Sequence, residues 1–325
     1  MGILVQPNEF LSLLRSEARY ISGQTLAKKA GISRSAVWKQ IEMLRRYGYV
    51  IESRHGLGYK LVGQTDLPVP WELAKVLHTS FVGKHVVYRE TTDSTQNLAI
   101  SLASKPDSHG TVVIAEQQKS GRGRQMRKWL SPRGGIWLSV IFRRGIPISK
   151  ITLLPFVIAL AVYDAIRTTG LDARLKWPND VIISDKKVAG ILLDISAQAD
   201  QINYAVIGIG INANVDSSAI SARLDGINIT SISDELGHAV SRLDLTRSLL
   251  ENIERYYVEM GQQGVHTILQ EWKKRSDMLG CKVTVVQDNK LIQGVAADVN
   301  DDGSLLLQTD RGDISVVSGD IHVRY

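Results

Sequence analysis

Two stretches of this 325-residue chain combine residue types suited to holding anions. In EQQKSGRGRQMRKW (116–129), glycine alternates with arginine at Gly121, Arg122, Gly123 and Arg124, and Arg127, Lys128 and Trp129 follow. Glycine lets backbone approach a ligand closely or take dihedrals closed to other residues. Guanidinium forks match carboxylate and phosphate. The pattern fits a flap that orders over an anion; the plainer alternatives are a mobile surface loop or a nucleic-acid patch. The second stretch, LKWPNDVIISDKKVAGILLD (175–194), sets Lys176, Trp177, Asn179 and Asp180 at the head of a strand. A tight turn at Asp185-Lys186 returns the chain through Lys187, with Ala189 and Gly190 small enough for a ligand to lie close. A two-residue turn there pairs 184 with 187 and 180 with 191, which puts Asp180 and Lys187 on one face about 13 Å apart. That span is too long for a direct ion pair. It suits a ligand lying between a metal-binding carboxylate and an ammonium group. The alternative is a turn-starting aspartate and a solvated lysine.

These residues need a scaffold, and the chain between 71 and 275 predicts one. Strand-like runs occur at 85–90, 111–116, 135–142, 180–184, 188–195 and 203–211, with helical stretches at 94–104, 152–169 and 243–260. Short turns between neighbouring strands imply antiparallel pairing, so the expected class is α+β with a mixed sheet. No Walker sequence is present, and GIGIN (208–212) lacks the third glycine of a dinucleotide fingerprint.

The net charge of +6 resides in residues 1–62, which hold ten Lys/Arg against four Glu. Such localisation is the electrostatic footprint of a nucleic-acid module. A helix at about 24–30 ends at Gly31. Ser33 then caps a second helix, whose apolar stripe is Val37, Ile41 and Leu44. Arg34, Ser35, Trp38 and Lys39 fall off the stripe near the helix start, where a recognition helix meets base edges. A hairpin with Arg54 and His55 at its tip completes a winged helix-turn-helix. A protein-docking module is the alternative; on DNA, a homodimer on a palindrome is expected. The expected boundaries are 1–62 for this module, 63–70 for a linker, 71–275 for the central domain and 276–325 for a small SH3-like barrel. That barrel follows from alternating residues punctuated at Asp288-Asn289, Asp301-Asp302-Gly303 and Arg311-Gly312. Cys281 is the single cysteine, the longest apolar run (151–166) is too short to span a membrane, and no signal pattern opens the chain. A cytoplasmic protein without a membrane partner is expected.

DSTQ (93–96), AEQQKSGRGR (115–124), RKW (127–129), KWPND (176–180), KKVAGILLD (186–194) and GIGIN (208–212), in this order, closely resemble biotin–protein ligases. With the winged helix, the resemblance extends over essentially the whole chain, to the bifunctional type that also represses a biotin operon. It implies a catalytic domain folded like class II aminoacyl-tRNA synthetases. That domain uses ATP and Mg²⁺ to convert biotin to biotinyl-5′-AMP, then passes biotin to a lysine of the biotin carboxyl carrier protein of acetyl-CoA carboxylase. By the resemblance, Ser94, Thr95 and Gln118 hydrogen-bond the ureido group, and Gln96, Gly121, Gly123 and Gly190 line the biotin site. Arg122 and Arg124 hold the intermediate and its phosphate, and Lys187 contacts carboxylate and α-phosphate. Arg127, Trp129, Lys176, Asn179, Gly208 and Asn212 lie on the nucleotide side, and Asp180 is the Mg²⁺-linked carboxylate. Biotinyl-AMP would serve also as corepressor for operator DNA. The chain departs from the family at Gln96, where asparagine is common, and at Gln125-Met126, where Arg-Gly is frequent. No tryptophan occurs in 213–235 to cover the adenine, leaving Ile227 or Ile229 as substitutes. A lipoate-activating relative and a non-catalytic biotin sensor are the competing readings.

Overall fold

Ser22 and Ser33 decide where the second and third helices begin. In the computed structural model, which describes residues 7–143, 147–198, 201–224, 228–287 and 290–324, each hydroxyl accepts a backbone N–H, from Thr25 at 3.1 Å and from Ala36 at 3.2 Å. These caps satisfy N–H groups that the helix leaves without partners. α1 (Pro7–Arg15), which periodicity did not single out, supplies Phe10, Leu11 and Leu14 to a core shared with α2 (Gly23–Ala30) and α3 (Arg34–Arg46). From α3 come Val37, Ile41 and Leu44, as expected. Gly31, at φ +65°, ends α2. β1 (Val50–Arg54) and β2 (Gly58–Gly63) form the wing. Gly58 must be glycine, since a Cβ there would lie 2.1 Å from the Ile21 carbonyl oxygen.

The chain divides into two compact units after Lys75. Segment 63–70, expected as a linker, is anchored in the first unit: Leu67 and Val69 are buried. α4 (Pro70–Val76) follows, with Trp71 Nε1 donating to Tyr49 Oη at 2.7 Å and the Tyr49 hydroxyl donating to Glu72 at 2.5 Å.

The second unit is built on a seven-stranded mixed sheet. Its strands are β3 (Val86–Thr92), β4 (Val112–Gln118), β5 (Ile136–Phe142), β6 (Ala173–Lys176), β7 (Asp180–Ile183), β8 (Lys186–Gln198) and β9 (Gln201–Ile211), in the order β3-β4-β5-β9-β8-β7-β6. Only β3 and β4 run parallel, as the crossover through α5 (Thr95–Ala103) requires. β6 was not legible in the sequence, being four residues long. The apolar α6 (Leu154–Arg167) is buried along most of its length and packs on α9 (Arg242–Gln263). α10 (Val265–Lys273) packs on both, and two single-turn helices, α7 (Ser217–Ser221) and α8 (Ile232–Leu236), follow β9. Five antiparallel strands, β10 (Lys282–Gln287), β11 (Lys290–Val299), β12 (Leu305–Thr309), β13 (Gly312–Val316) and β14 (Asp320–Arg324), close the chain. The turn expected at Asp288-Asn289 lies outside the described residues. Among described residues no helix is long and apolar enough to cross a membrane.

The expected register of the β7–β8 hairpin is wrong. The turn is Ser184-Asp185, both at positive φ (48° and 62°), with Ile183 opposite Lys186. Two residues at positive φ make the type I′ loop that matches strand twist. A bulge at Val188 then shifts the partners, so Ile182 faces Lys187 and Asp180 faces Gly190. Lys187 is thereby two strand positions from Asp180, about 7 Å, instead of four.

Candidate functional site

That correction brings the two charged groups into contact. Lys187 Nζ lies 2.6 Å from Asp180 Oδ1, a direct ion pair with both side chains about a quarter exposed. The expectation that a ligand must separate them fails because a lysine stem spans the shorter distance. The same ammonium sits 5.2 Å from the Trp129 ring centroid.

Trp129 itself rests on glycine. Gly190 and Gly210 are paired across β8 and β9, and a Cβ on either would fall 2.8 Å or 2.5 Å from the indole. Those glycines create a flat cradle for one large ring. The indole nitrogen is buried and, among the described residues, has no hydrogen-bond partner, a donor that a ligand acceptor could satisfy.

The flap from Gly121 to Trp129 is a short hydrogen-bonded hairpin. Trp129 N donates to Gly121 O at 2.9 Å, Gly123 N to Arg127 O at 2.7 Å, and Arg122 bridges Lys128. Glycine plays a narrower role here than the alternation suggests, because neither Gly121 nor Gly123 has positive φ. Gly121 is required by crowding: a Cβ would lie 2.4 Å from the Trp129 carbonyl oxygen. It supports the flap from behind and does not line the pocket. The flap residue at positive φ is Gln125, at 51°. Arg124 reaches Asn179 Oδ1 at 3.1 Å, and Arg122 donates to Asn97 Oδ1 at 2.8 Å.

On the opposite wall, Ser94 caps α5 and turns Thr95 inward. The Gln118 oxygen accepts from Thr95 N at 2.8 Å and from Thr95 Oγ1 at 3.1 Å, and its amide nitrogen donates to Ser131 Oγ at 2.8 Å. Gln96 is 3% exposed and its amide is fully engaged, donating to Val206 O and Asp194 and accepting from Ser139 Oγ. It lies against Gly208, where a Cβ would be 2.7 Å from its oxygen. Asn212 is also buried, and donates to Thr230 O at 3.0 Å, pinning the segment that carries Ile229 to Lys187.

All these walls enclose one cavity of about 560 Å³. Ser94, Thr95, Gln96 and Gln118 line one end. Arg122, Gly123, Arg124, Arg127 and Trp129 form the flap side. Lys176, Asn179, Asp180, Lys187 and Gly190 form the hairpin side, with Gly208 and Asn212 beneath. Of the two residues proposed to cover adenine, Ile229 lines the cavity and Ile227 lies outside the described residues. Sequence reading missed Asn97, Ser131, Ser139 and Asp194. Ser139 carried a signal, a lone hydroxyl inside the fully buried strand IWLSVIF. A buried polar group must find a partner.

In the first unit, Ser33, Arg34, Ser35, Trp38 and Lys39 are all exposed along α3, and Trp38 is 57% exposed, unusual for so large an apolar ring. At the wing, Arg54 stacks 4.9 Å from the Tyr20 ring and lies 3.5 Å from Glu52, and His55 is exposed. Ser33 spends its hydroxyl on the cap, which leaves the remaining side chains as the accessible set.

A winged helix-turn-helix and a synthetase-type mixed sheet with a cation-walled cavity thus stand in one chain, a regulator joined to a ligand-activating domain. Three family models match the chain: an HTH domain at residues 8–60, the biotin/lipoate A/B protein ligase family at 88–212, and the biotin protein ligase C-terminal domain at 279–324. The chain is 35% identical over 308 residues to the bifunctional ligase/repressor BirA of Bacillus spizizenii, covering 94% of each. It is 30% identical over 311 residues to the bifunctional ligase/repressor BirA of Escherichia coli, covering 94% of this chain and 92% of that one. A solved biotin protein ligase from Aquifex aeolicus, in complex with biotin and ATP, superposes with a TM-score of 0.62 at 27% identity, over 74% of this chain and 99% of the other. The chain belongs to the bifunctional biotin protein ligase and repressor family.

Proposed function

We propose that the protein joins biotin to AMP and then to a lysine of the biotin carboxyl carrier protein, and that biotinyl-AMP also drives binding to operator DNA as a homodimer. The observation that carries this reading is the Lys187–Asp180 pair beside Trp129, inside a cavity walled by Arg122 and Arg124. In the first step a biotin carboxylate oxygen attacks the α-phosphorus of ATP and pyrophosphate leaves. Two anions must meet, so fixed cations lower the barrier most. Lys187 is placed to bridge them, and Arg124, braced by Asn179, to hold the phosphate. In the second step the acceptor amine attacks the acyl carbon and AMP leaves. Until then the flap protects a mixed anhydride from water.

Thr95 and Gln118 offer the ureido group a buried polar frame, the basis of sharp discrimination. Trp129, with its unpartnered indole nitrogen, fits the nucleotide side. Among described residues no cluster of three or more His, Cys, Asp or Glu could cage a metal ion. The single carboxylate of Asp180 on the cavity wall fits Mg²⁺, which is commonly held by one or two carboxylates and substrate phosphates. Asp180 would be its protein ligand, and the ion would neutralise phosphate charge. The working divisions are 1–62 for DNA, 63–70 as connector, 71–275 for catalysis and 276–325 as a supporting domain, in a cytoplasmic protein. The test is biotin-dependent ATP–pyrophosphate exchange beside a lipoate control. Exchange with biotin alone supports the reading. Exchange with lipoate alone, or silence with both in a folded protein that binds biotin, overturns it.

A further inference from the structure

Asp194 stands just outside the main cavity, in an adjoining recess of about 340 Å³ that it shares with Arg122. Its Oδ2 lies 3.5 Å from Arg122 Nη1 and accepts from Gln96 Nε2 at 3.1 Å. Gln96 cannot rotate to serve a ligand without breaking buried bonds, because its other amide hydrogen goes to Val206 O at 2.9 Å and its oxygen accepts from Ser139 at 2.9 Å. That orientation is forced: a carboxylate and a carbonyl can only accept, so the nitrogen must face them.

From Gln96 the path continues inward. Ser139 Oγ lies 3.0 Å from Thr95 Oγ1, which lies 3.1 Å from the Gln118 oxygen. The row Gln118 oxygen, Thr95 hydroxyl, Ser139 hydroxyl, Gln96 oxygen has three contacts and only two hydroxyl hydrogens. One contact always lacks a hydrogen, so the row has alternative orientations and a ligand touching Thr95 selects among them. The other end of the same path is Asp194, which faces the flap. Buried networks of this kind transmit a change at one member to the rest.

We propose that Asp194 is a positioning residue for the flap arginine Arg122, fixed in place by the buried amide of Gln96, so that the floor of the cavity and the grip of the flap share one hydrogen-bonded path. The inference rests on the biotin-activating function proposed above. Asn97 is the second acceptor for Arg122, and it orients the guanidinium without supplying charge. Asp194 adds the charge. Both members of the Arg122–Asp194 pair are about a third exposed, so the effect of losing it is modest.

The experiment follows release of preformed biotinyl-AMP from the full chain and from Asp194→Asn, Arg122→Ala and the double variant, with unfolding midpoints measured alongside. Asp194→Asn should speed release about three- to fivefold and leave the midpoint unchanged. The double variant should release no faster than Arg122→Ala alone, because asparagine keeps an acceptor oxygen for Gln96 and removes only the charge that Arg122 meets. Asp194→Glu should restore slower release. Release from Asp194→Asn at the wild-type rate, or two effects that multiply in the double variant, overturns the inference while leaving the function intact. Failure of the unmodified chain to form biotinyl-AMP overturns the proposed function instead, and this inference with it.

Discussion

The Arg242–Glu116 and Lys187–Asp180 pairs both join a cation to a carboxylate within one domain, at 2.8 and 2.6 Å. Arg242 and Glu116 are 8% and 4% exposed, whereas Lys187 and Asp180 are 26% and 24% exposed. Arg242 lies at the start of α9 and reaches Glu116 on β4, next to the strand end that carries Gln118. Nothing there opens to the cavity, and the pair ties a helix to the sheet. Lys187 and Asp180 face the cavity from one hairpin, with Trp129 beside them. A sealed pair is an element of structure. An accessible pair can exchange its partner for a substrate anion, and that exchange is what catalysis requires here.

Breaking the sealed pair should have the largest effect. Glu116→Ala removes the buried carboxylate that faces the Arg242 guanidinium, at a cost of about 3–5 kcal/mol. In a unit of this size that lowers the unfolding midpoint on the order of 10 °C, measurable by calorimetry; a shift under about 2 °C would erase the contrast between the pairs. Lys187→Ala should do the reverse, cutting biotin-dependent pyrophosphate exchange by about 10²–10³ with the midpoint nearly unchanged. Full turnover by this variant would remove the lysine from the mechanism. Arg124→Gly, which removes a flap cation braced on Asn179, should raise the rate of biotinyl-AMP escape about ten- to hundredfold, read by trapping free adenylate. Normal retention would contradict the clamp.

A smaller effect isolates burial itself. Burial pushes the Tyr257 phenol, stacked at 4.6 Å on Phe142, up to about 12. The folded state then favours the neutral phenol, so this contribution is complete below the ordinary value near 10 and is lost as pH rises toward 12. Tyr257→Phe should flatten the alkaline decline of the unfolding midpoint between about pH 10 and 12. An unchanged slope would show that Tyr257 does not contribute to it.

Much of the architecture was readable because it rests on local chemistry. Gly31 and Ser33 mark helix ends, and the spacing of Val37, Ile41 and Leu44 orients α3. The sites read from GRGR and KWPND enclose one cavity because short strands joined by tight turns hold them near each other. The hairpin register was misread because DKK and SDK are equally plausible turns by composition. Positive φ at Ser184 and Asp185, and a bulge that repacks the buried Val188, chose between them. The anchoring of 63–70 was equally hidden, since Leu67 and Val69 look sparse until a core accepts them.

By itself the sequence determined the winged helix, the mixed α+β class, the charge of the first module and the residue types that meet anions. These follow from periodicity, capping and composition, all of which act within a few residues of chain. Only the tertiary structure decided that Lys187 pairs with Asp180, that Gly190 and Gly210 seat Trp129, and that the Gln96 amide is engaged by Asp194, Val206 and Ser139. Each of those facts depends on the register in which backbone segments meet, and a one-residue slip would undo it.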